Sequence, residues 1–104
     1  MRTLNDVRQN ESLRHFEIIV DGQVAGFIQY VARPGKIILV HTEIDDAFEG
    51  RGLGSQLAAA TLDDIRAQGL RVVPLCPFVA SYIERHPEYD DLVDHVALDA
   101  LERG

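Results

Sequence analysis

From residue 49 to residue 54 the chain reads Glu49-Gly50-Arg51-Gly52-Leu53-Gly54, and the character of the sequence changes across this segment. Upstream, the apolar residues are mostly β-branched or aromatic. Downstream, Leu53–Gln68 is dominated by helix formers. A glycine segment at a strand-to-helix junction has two physical properties. Glycine lets the backbone turn tightly and approach a ligand with no Cβ in the way. The first turn of the following helix offers N–H groups that lack intrahelical acceptors, at the positive end of the helix dipole. Together these suit a phosphate group, and Arg51 adds a fixed positive charge. A glycine-rich turn that only connects two elements is the alternative.

The flanking pattern orders the rest. Ser12–Val20 and Gln23–Ala32 are rich in β-formers and are separated by Asp21-Gly22, a tight-turn signal, so they read as a hairpin. Arg33-Pro34-Gly35-Lys36 is a second turn. Lys36–Ile44 is strongly apolar and reads as a central strand, completing an antiparallel meander of three strands. In the helix Leu53–Gln68, the residues Leu57, Ala58, Thr61, Leu62 and Ile65 share one face, and Gly69 supplies a C-cap. Leu70–Leu75 is a short strand reached by a right-handed crossover, parallel to an earlier strand. A second helix spans Phe78–Arg85 and stops before Pro87. Asp90–Arg103 reads as a C-terminal helix. The result is an α+β domain: a three-strand meander, a β-α-β crossover and C-terminal helices.

Composition excludes several classes. One domain with one core fits 104 residues. No apolar run approaches the roughly 20 residues that span a bilayer, and Met1–Glu11 carries no signal-peptide core. The single cysteine, Cys76, cannot form an internal disulfide. The expected location is therefore cytoplasmic, without a membrane partner. A formal net charge of −7 argues against a nucleic-acid surface and is compatible with a cationic substrate. The loop itself is no Walker A motif, because Gly54-Ser55-Gln56 lacks the lysine. A dinucleotide fingerprint normally opens a parallel sheet, and here the loop follows an antiparallel meander.

The order of meander, phosphate loop, helix and strand resembles the GCN5-related N-acetyltransferase superfamily, whose cofactor loop follows the pattern Gln/Arg-x-x-Gly-x-Gly/Ala. Gly52-Leu53-Gly54 matches the glycine part, while Glu49 stands where the family prefers Gln or Arg. His41-Thr42-Glu43, Gly50-Arg51-Gly52-Leu53-Gly54, Cys76-Pro77-Phe78 and Arg85-His86-Pro87-Glu88-Tyr89 together look like a small single-domain branch. The resemblance covers about Phe16 to Tyr89. It implies an acyl-CoA N-acyltransferase-like fold in one domain, 1–104, with its core at about 12–89. It also implies acetyl-CoA as cofactor, with contacts from Ile44, Gly50, Arg51, Gly52, Leu53, Gly54, Ser55, Cys76 and Phe78. The pantetheine arm would lie where the sheet splays between Lys36–Ile44 and Leu70–Leu75. Pro74, which has no N–H, suits strands that have already separated, or equally an ordinary edge.

Acetyl transfer to an amine needs a base, a positioned thioester and stabilisation of the developing charge. Glu43 is the candidate base. His41 lies two residues earlier on the same face of the strand and can share or relay its proton. A packed histidine and a loop-capping glutamate are the plain alternatives. Cys76 lies between a strand and a helix start, beside the cofactor thiol or as an acyl carrier, with a buried small hydrophobe as the plain alternative. Many relatives carry a tyrosine in the following helix as the acid. Here Glu84 takes that position, and Tyr82 and Tyr89 are the substitute candidates, with core packing the plain alternative for each. No metal ligand set is expected. Asp21-Gly22 leaves no room for the helices that form the acceptor pocket in larger members. An open acceptor side suits a protein lysine, an N-terminus or a small amine, and would equally suit a non-catalytic acyl-CoA-binding module.

Overall fold

In the computed structural model, which describes residues 5–103, two tight turns organise the first half of the chain. Asp21 and Gly22 have φ of 51° and 78°, the pair of positive angles that a two-residue type I′ hairpin turn needs. Pro34 precedes Gly35, whose φ of 75° fits a type II turn. The strands are β1 (Asp6–Asn10), β2 (His15–Val20), β3 (Gln23–Arg33) and β4 (Lys36–Ile44), each antiparallel to the next.

The meander therefore has four strands where three are expected from the sequence. β1 pairs with β2 from Asp6↔Ile19 to Asn10↔His15. Its sequence, Asp-Val-Arg-Gln-Asn, has no β-former run because it is an edge strand, and only Val7 packs against the core. Charged and polar residues at such an edge discourage pairing with other chains. The second strand also starts later than its alternation suggests. Residues 11–14 form the turn out of β1, with Arg14 in the left-handed region at φ 54°.

Helix α1 (Leu53–Ala67) buries Leu53, Leu57, Ala58, Thr61, Leu62 and Ile65 against the sheet, where Phe16, Ile18 and Ile28 are fully buried. It ends in a Schellman motif. Gly69 has φ 73°, its N–H donates to the Arg66 carbonyl, and the Leu70 N–H donates to the Ile65 carbonyl. The crossover leads into β5 (Arg71–Pro74), parallel to β4 and at the end of a five-stranded sheet of order 1-2-3-4-5.

β4 and β5 pair from Lys36↔Arg71 to Leu39↔Pro74, and then the pairing ends while β4 runs on to Ile44. Pro74 is not the cause. The Val72 carbonyl accepts from the Asp94 N–H on the outer edge, and the Arg71 N–H donates to Gly35 beside β4. Alternation therefore turns the imide nitrogen of Pro74 to the outer edge, where a missing donor leaves the β4 ladder untouched. Two one-residue slips part the strands instead. On β4, Gln29 pairs with His41 and Tyr30 with Leu39, so Val40 is an extra, bulged residue. On β5, the Leu75 N–H turns back to the Val73 carbonyl, and the Cys76 N–H takes the Leu39 carbonyl.

Helix α2 (Pro77–Arg85) begins with proline at its first position, where a missing N–H costs nothing. The expected C-terminal helix is divided: Pro87–Leu92 is a 3-10 segment, and α3 is His95–Glu102, capped by the Asp94 carboxylate on the Ala97 N–H. The 3-10 segment is pinned to α1. Tyr89 donates to Asp63 at 2.8 Å, and the Arg66 guanidinium reaches both carboxylate oxygens of Asp91 at 2.9 and 3.1 Å. Val93 then makes a single parallel bridge to Val72. Among the described residues, no helix is long and apolar enough to cross a membrane.

Candidate functional site

The glycine loop sits at the N-terminus of α1, in line with the open end of β4. Gly50 and Gly52 have φ of 83° and 72°, and a Cβ built on either would meet no atom within 4 Å. The loop thus keeps its backbone exposed to free space in a conformation that L side chains rarely adopt. Gly52 is the N-cap of α1 and supplies no side-chain cap, so the first-turn N–H groups point outward for other acceptors. The Arg51 guanidinium stands 5.3 Å from the centre of the Phe48 ring, a cation–π contact that holds it over the loop. Gly54 has a different role. A Cβ there would come within 2.8 Å of Phe78, so the missing side chain admits the Phe78 ring against the start of α1.

One cleft of about 350 Å³ gathers Ile44, Gly50, Gly52, Leu53, Gly54, Ser55 and Phe78. Of the residues expected to hold a cofactor, Arg51 and Cys76 lie outside this lining. Phe48 and Glu49 complete it. Phe48 is not among the residues expected from the sequence, although an aromatic just before the glycine loop is a readable signal. The donor set fits a pyrophosphate: exposed backbone N–H groups and a helix N-terminus, with Arg51 outside the lining but stacked on Phe48, which is part of it. Glu49 is the discordant member, since a carboxylate at the rim repels phosphate.

The Val40 bulge determines where the acid–base candidates point. Before it, Ile37 and Leu39 are buried against α1; after it, His41 and Glu43 are exposed and Thr42 and Ile44 face the core side. His41 Nε2 and Glu43 Oε1 are 3.2 Å apart. They stand at the end of a row of rings on the sheet face opposite α1. His15 stacks on Phe27 with centroids 4.9 Å apart, and the Phe27 and His41 centroids are 6.3 Å apart. Beneath this row Glu17 is only 2% exposed. Burial alone would raise its pKa, but hydrogen bonds from His15, Arg8 and Asn10 outweigh that and hold it below the ordinary carboxylate value.

Cys76 is buried at the N-cap of α2, and its Sγ lies 2.9 Å from Thr42 Oγ1. Thr42 is therefore a site residue that single-residue reasoning passed over. Its place between His41 and Glu43 made it the residue on the opposite face. Tyr82 is not brought to this group. Its ring stacks on His86 at 4.1 Å and tilts against Tyr89 at 6.2 Å, six residues along the chain from Cys76. Its hydroxyl pKa is raised by burial, with Glu88 and Asp63 adding to the effect.

Residues 15–92 match the family model for the GCN5-related N-acetyl-transferase. The chain belongs to this family. It is 29% identical to Protein NATD1 of Xenopus tropicalis over 84 residues, which is 78% of this chain and 76% of that protein. The Danio rerio NATD1 is 26% identical over 93 residues, covering 86% of this chain and 84% of its own. Among solved structures, a GCN5-like protein from Staphylococcus aureus superposes with a TM-score of 0.63 at 24% identity, over 85% of this chain and 86% of that one. A ribosomal-protein-alanine N-acetyltransferase from Brucella melitensis superposes with a TM-score of 0.50 at 17% identity, over 76% of this chain and 60% of that one. At these identities the two superpositions speak to the fold. The family model makes the chain a GCN5-related N-acetyltransferase by descent.

Proposed function

We propose that this family member transfers the acetyl group of acetyl-CoA to a primary amine. The observation that carries the reading is the open, left-handed backbone of Gly50 and Gly52 at the α1 N-terminus, reached from β4 after its last stretch, to Ile44, has run on past the end of its pairing with β5. The N–H groups of the first turn of α1 and the Arg51 guanidinium would hold the pyrophosphate. Ile44, Leu53 and Phe78 supply the apolar walls of the same cleft. Acetyl-CoA supplies the acyl group as an activated thioester.

The chain's own residues then have separable roles. Glu43 accepts the proton that the amine must lose, and His41, at 3.2 Å, holds the carboxylate and passes the proton to solvent. Both lie on the face opposite α1, so the amine approaches from one side of the sheet and the cofactor from the other. Cys76 and Thr42 line the gap between the parted strands. Cys76 serves here as packing beside the cofactor thiol, not as an acyl carrier. The acidic surround of Glu43, with Asp45, Asp46 and Glu49 on the same shallow depression, favours a cationic acceptor.

Calorimetry with acetyl-CoA tests the first half of the reading, and intact-mass analysis of an amine acceptor incubated with protein and acetyl-CoA tests the second. Saturable binding with acetylated product is the expected result. Binding with no product on any primary amine would leave a cofactor-sensing module, and no binding would remove the assignment altogether.

A further inference from the structure

Helix α2 divides two concavities. Phe78 faces the cofactor cleft, and the opposite side of the helix, with Ala80, Ile83 and Glu84, faces a groove of about 560 Å³ shared with α3. At 100° per residue, Ala80 and Glu84 lie about 200° and 240° around the helix from Phe78, so the two openings are back to back. The floor of the groove is apolar: Pro74, Ile83, Val93 and Leu98. Its rim carries Glu84, Asp90 and Glu102, and the basic side chain in its lining, His95, lies 3.3 Å from the Asp90 carboxylate. Glu84 and Glu102 have no ion-pair partner among the described residues.

We propose that this groove docks a basic segment of a protein acceptor, one that inserts apolar side chains between α2 and α3 and sets lysines or arginines against Glu84 and Glu102. Three observations select that occupant. An apolar floor inside an acidic rim complements a segment of opposite charge. A second copy of this chain would bring like rims together, at a net charge of −7 per copy. The outer edge of β5 is also closed to an added strand, because the chain's own Val93 bridges Val72 there, the Asp94 N–H takes the Val72 carbonyl, and Pro74 has no N–H to donate, so side chains must anchor the occupant. The head of the groove is Pro74, where the β4–β5 pairing ends, so a segment seated there approaches the gap that leads to the cofactor cleft. That the segment belongs to an acceptor rests on the acetyl-transfer reading; the docking does not.

The test uses the full chain and a fluorescein-labelled probe peptide with leucines at helical spacing and lysines between them. The control has the same lysines with serine in place of leucine. Fluorescence anisotropy should show saturable binding of the leucine peptide that weakens with salt. The paired exposed substitutions Glu84→Lys and Glu102→Lys should weaken it about tenfold or more, and amide shifts should centre on Ala80, Ile83 and Leu98. Leu98→Ser, which keeps the charges, should weaken it as well. Equal binding of the serine control, or binding unchanged in the charge-reversed protein, overturns the proposal. So does a concentration-dependent dimer that the same substitutions abolish, which would assign the groove to a second copy. Acetyl-CoA calorimetry on the charge-reversed protein separates the two readings, since lost docking with intact cofactor affinity concerns the groove alone. Groove binding in a protein with no affinity for acetyl-CoA would instead retain the docking and remove the transfer.

Discussion

Thr42 Oγ1 and Cys76 Sγ, 2.9 Å apart, form a hydrogen bond that ties β4 to the N-cap of α2 just past the last β4–β5 pair. The bond spans the gap proposed to receive the cofactor's thiol end, and it leaves Cys76 only 3% exposed. A thiol held in this way reacts with an alkylating agent only when the gap opens. Bound CoA should therefore slow alkylation of Cys76, and Cys76→Ala should keep most of the turnover. A hydroxylamine-sensitive acetyl adduct on Cys76 would show an acyl carrier instead. Equal alkylation rates with and without CoA would take Cys76 out of the site.

Substituting Gly52 is a poor test of the cofactor loop, since its φ of 72° would strain any side chain. Ser55 is better placed. It is exposed and third in α1, where a glutamate is favourable to the helix. Ser55→Glu should leave thermal stability unchanged or slightly raised while weakening acetyl-CoA binding about tenfold or more through repulsion of the pyrophosphate. A folded variant with parental affinity would move the site elsewhere.

Glu43→Gln keeps the side-chain shape and removes the carboxylate. At neutral pH the turnover rate should fall about 10²-fold or more if Glu43 takes the proton, with acetyl-CoA affinity retained. An unchanged rate at saturating amine would shift proton removal to His41 or to water.

Much of this arrangement could be read before any coordinates. The turns at Asp21-Gly22 and Pro34-Gly35, the buried face of α1 and the glycine loop follow from local chemistry: left-handed turn positions, helical spacing and the lack of a Cβ. What could not be read depends on partners distant in sequence. β1 is a strand because β2 offers it an edge, and nothing in Asp-Val-Arg-Gln-Asn says so. The bulge at Val40 is a property of the β3–β4 register, so simple alternation puts Leu39 and His41 on one face when they are on opposite ones. Of the two places that suit Pro74, parted strands and an ordinary edge, the structure has the edge, so the proline says nothing of the parting. Thr42 entered the site only because Cys76 lies 34 positions later and arrives beside it.

Glu17 gives a pH signature that does not depend on catalysis. Its folded pKa lies below the ordinary value of 4.5, so its hydrogen bonds to His15, Arg8 and Asn10 stabilise the fold above that pH. The contribution is lost as the pH falls through the lower, folded value. Urea denaturation across the acid range should show stability dropping below about pH 4.5, and Glu17→Gln should flatten part of that drop. An acid limb of the same steepness in the variant would assign the effect to other carboxylates, with Asp91 and Asp94, also held low by their partners, the first to examine.

The bulge at Val40 separates two properties that a regular strand couples. In an unbroken ladder, adding one residue turns every later side chain to the other face. Here the extra residue is absorbed where it occurs, so Ile37 and Leu39 on one side of it, and Thr42 and Ile44 on the other, all point toward the core. Excising Val40 would thus leave the orientation of each neighbour as it is. What would change is continuity: one of the two slips that end the β4–β5 pairing would be gone, leaving the turn at Leu75 as the other. The gap is accordingly written in chain length, at Val40 and at Leu75, rather than in the chemistry of any side chain, and a substitution scan that never deletes a residue would pass over it.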